Sequence, residues 1–524
     1  MASVYWNNNR VFAAFAEVET IVARHLAKEN FFFFSFSEKI IRERLAQRFV
    51  EVCFYDYSKL CFTRYAHAED PLPRERVLKL SGLRVDQETG QLKISISFFC
   101  NCFLKFCFLW LRLFWYIISS IRFSGSSKKK PTTLMYGVLA ESIFYNDSDK
   151  RFITYLNSGP ITPVTGSGNR IVYYTKKQQS QSDKNVLYHP LPVEALIRNG
   201  SFGFFQLLSL LKEHSIAFFV FLFTVIRHPL LAVLYSDAAY SSVIKKMDGW
   251  RAIDHVIISN ANFQQYTWMR ATEKNFRVHQ VYYSQNIKPL IFRQDPIAGD
   301  YPAYKHMKVD EMWVWTEDIG NYLRELGFEG TIHVTGPVLW YLPATVEKME
   351  NFDIIIFDIT PINKKAELEY GVINNFYSTE NLFLYINDII QTCAEINEQY
   401  GISVRLFLKH KRTMGEMHDK TYPDFINKLV DSGKLSGLID PKEDIYSLIS
   451  KTGMSVTIPF SSTSIIAGRL NKPAVVYDFS ESLINNYAVT ENISFVSGKK
   501  ELKQKIVSTF GLEKNRNFSN QHTN

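Results

Sequence analysis

The stretch Met454–Asp478, MSVTIPFSSTSIIAGRLNKPAVVYD, decides how the rest of the chain is read. Val456 and Ile458 read as a buried strand, which Pro459 breaks sharply. Four hydroxyl residues follow, Ser461, Ser462, Thr463 and Ser464, and then Ile465, Ile466 and Leu470 mark a short helix. Lys472-Pro473 leads into a second apolar strand, Ala474–Tyr477. The hydroxyls can serve as an ordinary N-cap, for which Ser and Thr are common. They can equally cradle an anion, because the first N–H groups of a helix lack partners and its dipole favours negative charge.

The same strand–helix texture continues outward in both directions. Around the opening stretch lie strands Asp353–Phe357, Ser403–Leu408 and Leu438-Ile439, with helices Glu380–Tyr400, Tyr422–Ser432 and Asp444–Lys451. Leu483-Ile484 and Ser494–Val496 are minor elements, and Glu501–Thr509 is a closing helix. Upstream, strands are expected at Leu134–Leu139, Arg170–Tyr174, His255–Ser259, Val278–Tyr283, Glu311–Trp315 and Thr331–Val334. Helices fall between them at Val193–Arg198, Ala238–Met247, Phe263–Lys274 and Asp318–Leu326. Alternation with short turns implies parallel sheets covered on both faces. The fold class is therefore α/β, with two tandem Rossmann-type doubly wound domains meeting near Gly336-Pro337. Residues 131–336 form the expected acceptor domain, 337–512 the nucleotide-donor domain, and 513–524 a loose polar tail.

At 524 residues there is room for these domains and a further region. Residues 1–93 show helical periodicity, for example at Val11, Phe15, Val18, Val22 and Leu26, without declaring any chemistry. Phe31–Phe34 is too short to span a bilayer. Ile94–Ile121 is long enough, but Lys105 and Arg112 interrupt it on one helix face together with Asn101. That stripe, with Trp110, Trp115 and Tyr116, fits a helix lying in the membrane interface. A true span and a core helix with snorkelling charges are the alternatives. Lys128, Lys129 and Lys130 follow in a linker suited to anionic lipid, so 94–130 reads as a membrane-associating helix and basic linker. The second apolar region, Phe202–Tyr235, is either a hairpin dipping into the membrane or buried core.

Apolar content of 46% with 15% aromatic excludes a disordered chain. A net charge of +8 suits an anionic substrate or membrane surface and does not demand nucleic acid. There is no RNA-binding aromatic motif or zinc-finger spacing. The six cysteines (Cys53, Cys61, Cys100, Cys102, Cys107, Cys393) show no metal-ligand spacing, and Met1–Arg10 does not read as a secretory signal. A reducing cytoplasm is the expected compartment.

Ligands of open parallel sheets bind outside the carboxyl ends of the strands. Three such ends carry suitable chemistry in the second domain: Asp358 and Thr360; Lys409, His410, Lys411 and Arg412; and Ser461, Ser462 and Thr463. Lys supplies point charge and Arg a bidentate fork, which is what a nucleotide phosphate requires. Taken alone, the basic run could be a solvated face.

These residues resemble GT-B glycosyltransferases, in particular the relatives of bacterial sialyltransferases, Kdo-transferases and glycerophosphotransferases. In such enzymes a His-containing strand end and a Ser pair hold the donor nucleotide, which the resemblance carries to His410 and Ser461-Ser462. Lys411 stands where a Pro often follows that His. More narrowly, Thr457–Thr463 is similar to the signature of polysaccharide biosynthesis PFTS-motif proteins, with Ser461 in place of the motif's first Thr. Tyr282-Tyr283-Ser284-Gln285-Asn286, Trp313–Glu317, Val334–Val338 and Phe357–Pro361 resemble that family too, so the likeness covers roughly residues 131–512. It implies a donor site that includes Ser284, Gln285 and Asn286.

An inverting transferase also needs a base within reach of the acceptor hydroxyl. Asp295, in the loop QDPIAGD with Asp300, and Asp248, followed by Gly249, are the favoured carboxylates; Glu317 reads equally as a helix cap. With no DxD pair in a suitable loop, metal independence is expected, with no cofactor beyond a nucleotide-sugar co-substrate. Three functions follow. One is a transferase building a surface polysaccharide on a glycan or lipid-linked acceptor, peripheral or monotopic at the cytoplasmic face of the membrane. The second moves a polyol phosphate on the same fold, and the third is a non-catalytic nucleotide- or glycan-binding module.

Overall fold

A computed structural model describes residues 41, 44–45, 48, 83–85, 92–121, 131–138, 149–165, 168–173, 185–199, 202–259, 265–282, 290–294, 307–338, 353–364, 376–459, 461–486 and 490–512. The N-terminal periodicity, Phe31–Phe34, the lysine linker, Ser284–Asn286, Asp295, Asp300, Phe460 and the tail from 513 lie outside the described residues. The chain divides into two compact units, and the described residues 290–294 belong with the C-terminal one.

In the N-terminal unit a short antiparallel pair, β1 (Leu83–Val85) and β2 (Leu92–Ile94), precedes the long helix α1 (Ile96–Ile121). A seven-stranded sheet follows, built from β3 (Thr132–Tyr136), β4 (Asn169–Tyr173), β5 (Val186–His189), β6 (Ile253–Ile258), β7 (Arg277–Val281), β8 (Glu311–Val314) and β9 (Thr331–Val334). Its order is β5-β4-β3-β6-β7-β8-β9, and every neighbouring pair is parallel. The crossovers carry α2 (Asp149–Ser158), α3 (Thr162–Thr165), α4 (Pro192–Asn199), α5 (Phe204–Arg227), α6 (Tyr235–Gly249), α7 (Thr267–Arg270) and α8 (Glu317–Glu325). A 3-10 turn, Pro229–Leu234, joins α5 to α6.

The C-terminal unit repeats the plan with β10 (Asp353–Phe357), α9 (Thr379–Tyr400), β11 (Arg405–Lys409), α10 (Thr421–Asp431), β12 (Gly437–Ile439), α11 (Ile445–Lys451), β13 (Met454–Thr457), α12 (Thr463–Arg469), β14 (Ala474–Asp478), β15 (Ile493–Ser497) and α13 (Gly498–Thr509). Its six parallel strands run β12-β11-β10-β13-β14-β15. In both sheets the first strand in sequence sits inside and the order reverses beside it, which is the Rossmann plan. Strands covered on both faces need apolar residues at nearly every position, and β13 and β14 are buried throughout. Ile354, Ile356, Val456 and Val475 pack with Ile386 and Ile389 of α9, each buried Ile contributing about 1.5–3 kcal/mol. α9 begins at Ser378, whose hydroxyl accepts from the Asn381 N–H, and stops at Gly401 at φ 63°, a left-handed cap that glycine adopts without strain.

Local expectations differ in several places, α2, α3 and the β1–β2 pair among them. β5 was not anticipated, and the helix expected over Phe263–Lys274 is, among the described residues, the single turn α7. Tertiary structure overrides propensity there: the enclosed Asp237 carboxylate captures both the N–H and the hydroxyl of Thr267, and Ala271 turns to an extended ψ of 136°.

The two apolar segments form α1 and α5, each long and apolar enough to cross a membrane. Each packs one stripe inward, Phe98, Cys102, Phe106, Leu109, Leu113 and Ile117 on α1 and Leu207, Leu210, Ala217 and Phe221 on α5. They clasp through reciprocal bonds: Trp110 Nε1 donates to His214 O at 2.9 Å, and His214 Nε2 lies 3.0 Å from Trp110 O. The opposite faces stay bare, with Trp115 at 69% and Phe219 at 68% exposure beside Leu111, Phe205, Phe223 and Ile226. The expected stripe of Asn101, Lys105 and Arg112 does share a flank, yet Arg112 turns inward to the enclosed carboxylate of Glu194 at 2.9 Å instead of outward.

Candidate active site at the strand ends of the C-terminal unit

β11, β10 and β13 are hydrogen-bonded neighbours, and Phe357 pairs with both Lys409 and Thr457. The register therefore delivers the segments after all three strands to one level at the carboxyl edge. The order reverses between β10 and β13, so this is also the switch-point crevice of the sheet.

Asp358, the first residue beyond β10, organises the site. It is 3% exposed, and its carboxylate accepts from Lys411 N at 2.8 Å, Tyr422 Oη at 2.7 Å and His410 Nδ1 at 2.6 Å. An ionised carboxylate only accepts, so the proton between Asp358 and His410 sits on Nδ1. Nε2 of His410 is left as the working nitrogen, with no hydrogen-bond partner among the described residues. This is the logic of an acid that fixes the tautomer and aim of an imidazole. Thr360 laces the next turn, its hydroxyl accepting from Arg412 N at 3.0 Å. Arg412 is exposed, whereas desolvation lowers the Lys411 pKa to about 8, with Arg412 adding to the effect and Asp358 opposing it, and no ion pair holds either among the described residues.

Lys409 is placed differently. Its ammonium donates to Pro441 O at 2.7 Å and ties the loop after β12. Burial lowers its pKa to about 8, against the pull of Asp358, Asp440, Glu443 and Asp444. On the other side of β10, Ser461 Oγ and Thr463 Oγ1 lie 2.8 Å apart, and Ser464 Oγ donates to Ser461 O at 3.3 Å. Ser462 takes helical angles and makes no side-chain cap bond, so the simple N-cap reading does not describe it. The backbone of this loop is held by Tyr377 Oη, which donates to Pro459 O at 3.1 Å.

Among the carboxylates considered as a base, Asp248 lies apart from the carboxyl edge. It ends α6, beside the start of β7, and both its oxygens accept from Asn275 N at 3.1 Å. Burial raises its pKa, with the Asn275 bonds pulling the other way. Glu317 opens α8. The segment leading to Asp295 pairs within the C-terminal unit, where Phe292 bridges Leu483 and Arg293 N donates to Ser482 O at 2.8 Å. The sequence reading had placed that segment in the other domain.

Sequence reasoning missed two groups. Tyr422 shares the Asp358 carboxylate from 64 residues away, and nothing in its own stretch signals the role. In the N-terminal unit Glu194 is enclosed and accepts from Arg112 Nε at 3.0 Å and Tyr240 Oη at 3.2 Å. An acid in the first turn of a helix following a strand was the only signal available for it.

Two Rossmann-type parallel sheets in tandem, the second with a basic and hydroxyl-bearing carboxyl edge, give this chain the layout of a GT-B-like protein. The chain belongs to the polysaccharide biosynthesis PFTS motif protein family, whose profile matches residues 218–506, more than half of it. No curated protein matches. Solved structures with a similar course are sucrose-phosphate synthase from Thermosynechococcus elongatus (11% identity, TM-score 0.40, covering 73% of this chain and 90% of that one) and the wall teichoic acid polymerase TagF (11%, 0.36, 79% and 92%). TarM from S. aureus is a third (13%, 0.31, 49% and 48%). The chain spans about half the length of the TarM structures. With TM-scores of 0.40 and below, these likenesses carry no argument, and residue roles rest on this chain's own geometry.

Proposed function

We propose that the chain is a GT-B-type transferase that uses a nucleotide-activated sugar to extend a surface polysaccharide at the inner face of the plasma membrane. The observation that carries this reading is the Asp358–His410 pair, held at the switch point of a Rossmann sheet with Nε2 unpartnered among the described residues. Acceptor oxygen attacks the anomeric carbon, the bond from that carbon to the donor phosphate oxygen breaks, and the nucleotide leaves with the electron pair. His410, which takes up a second proton at Nε2 as the anionic donor binds, joins Arg412, Lys411 and the Ser461–Thr463 hydroxyls in meeting the charge that develops on the phosphate. These cations take the role a metal plays elsewhere, which is why we propose metal independence. Lys409 and Asp358 act indirectly, by fixing the loops. For the base we retain Asp295 and set aside Asp248, whose carboxylate is used at the amino edge of its sheet. The bare apolar faces of α1 and α5 support a monotopic seat on the membrane, because contiguous exposed apolar surface of this kind needs an apolar partner.

The test is a thermal-unfolding panel of the purified chain with CMP, CDP, UDP, GDP and ADP. At a hundredfold excess over its dissociation constant, a ligand of the folded state adds about 2.7 kcal/mol. For a unit of this size that raises Tm by about 5–10 °C. One nucleotide is expected to give that shift and to lose it in His410→Ala; a flat panel refutes the reading.

A further inference from the structure

An open cavity of about 480 Å3 lies beside α1 in the N-terminal unit. Its polar wall consists of Lys105 and Arg112 from α1, Tyr235, Ser236 and Tyr240 from the start of α6, and Tyr266. Its rim is apolar: Leu104 and Phe108, each 67% exposed, also belong to the bare ridge of α1. Seven residues are nearly two helical turns, so Lys105 and Arg112 line up along the same wall.

The wall is built, not incidental. Glu194, 0% exposed, holds Arg112 at 2.9 Å and takes the Tyr240 hydroxyl on the same oxygen. Its other oxygen is enclosed without a hydrogen-bond partner among the described residues. Lys105, by contrast, has no ion pair or hydrogen bond among the described residues. With Arg112 balanced by the enclosed Glu194 carboxylate, Lys105 leaves the cavity positive. Point charge, a guanidinium and hydroxyl donors together match the oxygens of a phosphate. An apolar mouth opening onto an exposed apolar ridge matches a tail attached to that phosphate.

We propose that this cavity holds the phosphate of a lipid headgroup, whose tail lies along the bare ridge of α1. Glu194 follows β5 and Tyr266 follows β6, so the cavity sits at the carboxyl edge of the sheet, where ligands of this fold bind. As the seat of a lipid-linked acceptor the cavity rests on the transferase reading above; as a lipid-phosphate site it stands without it.

The test is vesicle co-sedimentation of the full chain, without nucleotide. Vesicles of phosphatidylcholine containing phosphatidic acid, which bears a phosphate monoester, are compared with vesicles containing phosphatidylserine at matched surface charge. Wild type is expected to prefer phosphatidic acid, and Lys105→Gln combined with Tyr235→Phe to lose that preference by about tenfold, the effect of one to two lost charge-assisted contacts. Both substitutions leave the Arg112–Glu194 pair intact, and the far-ultraviolet spectrum and Tm are expected to be unchanged. No preference, or an equal loss on both vesicle types, overturns the proposal, since general charge attraction then explains the binding. Inorganic phosphate that raises Tm through Lys105 without any vesicle preference also overturns it, assigning the cavity to free phosphate. His410→Ala is expected to leave vesicle preference intact, so loss of the nucleotide site and loss of this site are separate outcomes.

Discussion

Replacing Asp358 with Asn is the most informative single perturbation of the C-terminal unit. The side chain keeps its size but has one acceptor oxygen where the carboxylate has two. Asp358 receives three donors, His410 Nδ1, Tyr422 Oη and Lys411 N, at 2.6, 2.7 and 2.8 Å. The Lys411 N–H cannot reverse its role, so the amide oxygen faces it and the amide NH2 faces His410 and Tyr422. His410 then has to accept at Nδ1, which moves its proton to Nε2, and Tyr422 has to turn its hydroxyl. Hydrogen bonds to charged groups contribute about 1.5–3 kcal/mol against about 1 for neutral ones. Weakening the set therefore costs about 2 kcal/mol, and the Tm of the unit falls by about 4–8 °C. An imidazole that accepts at Nδ1 cannot hold a second proton, so it meets the leaving phosphate uncharged, and turnover falls by about 10²-fold or more. Calorimetry reads the first effect, nitrogen-15 chemical shifts of His410 the tautomer, and nucleotide release from the donor the third. Unchanged Tm and turnover with the proton still on Nδ1 would refute the role given to Asp358.

The Arg412→Ala variant is expected to weaken nucleotide binding by about five- to tenfold while leaving Tm unchanged, because its exposed guanidinium serves no fold contact among the described residues; isothermal titration checks the first and a thermal melt the second. Replacing Ser461 and Ser462 together with Ala is expected to weaken the same binding with a stability loss of about 0.5–1.5 kcal/mol from the lost Ser461–Thr463 hydrogen bond, and unchanged affinity removes these hydroxyls from the site. Phe219→Glu with Trp115→Glu, both on the bare ridge, is expected to release the chain from vesicles with little change in Tm, and undiminished binding in co-sedimentation contradicts the membrane seat. Burial lowers the pKa of His279 to about 4, with His255 at 3.0 Å adding to the effect and Glu311 opposing it. The unfolded chain therefore binds more protons between pH 4 and 6.5, so stability is full above 6.5 and falls as pH drops through that window, by up to about 3 kcal/mol. Urea midpoints across the window are expected to flatten in His279→Gln.

The sheets were legible because fully buried parallel strands leave a strong trace. The runs over β10 and β13 are apolar or small at nearly every position and end at a turn residue or a cluster of hydroxyls. β5 is harder to read because only Val186 of its four residues is buried, so no continuous apolar run marks it. At the site, the strand-end rule picked out the segments of Asp358, His410 and Ser461, since it depends only on where strands stop. It could not say which side chains turn toward one another. Asp358 was read as a ligand for substrate and is found aiming His410. Lys409 was grouped with its neighbours, yet it points to Pro441 O, because successive residues leaving a strand face opposite ways. The pairing of Arg112 with Glu194 spans 82 residues and arises only once α1 lies against α4. For the same reason, the periodicity of α1 announced an amphipathic helix but not that two of its cations, Lys105 and Arg112, line a cavity.

The central claim is that the carboxyl edge around His410 binds the phosphate of an activated donor. It is tested most directly by titrating wild type and His410→Ala with the nucleotide that emerges from the panel, by calorimetry in the presence of a metal chelator. The account predicts saturable binding to wild type with chelator present, weakened about tenfold or more when the imidazole is removed. Equal affinity for the two proteins would place the nucleotide elsewhere and contradict it.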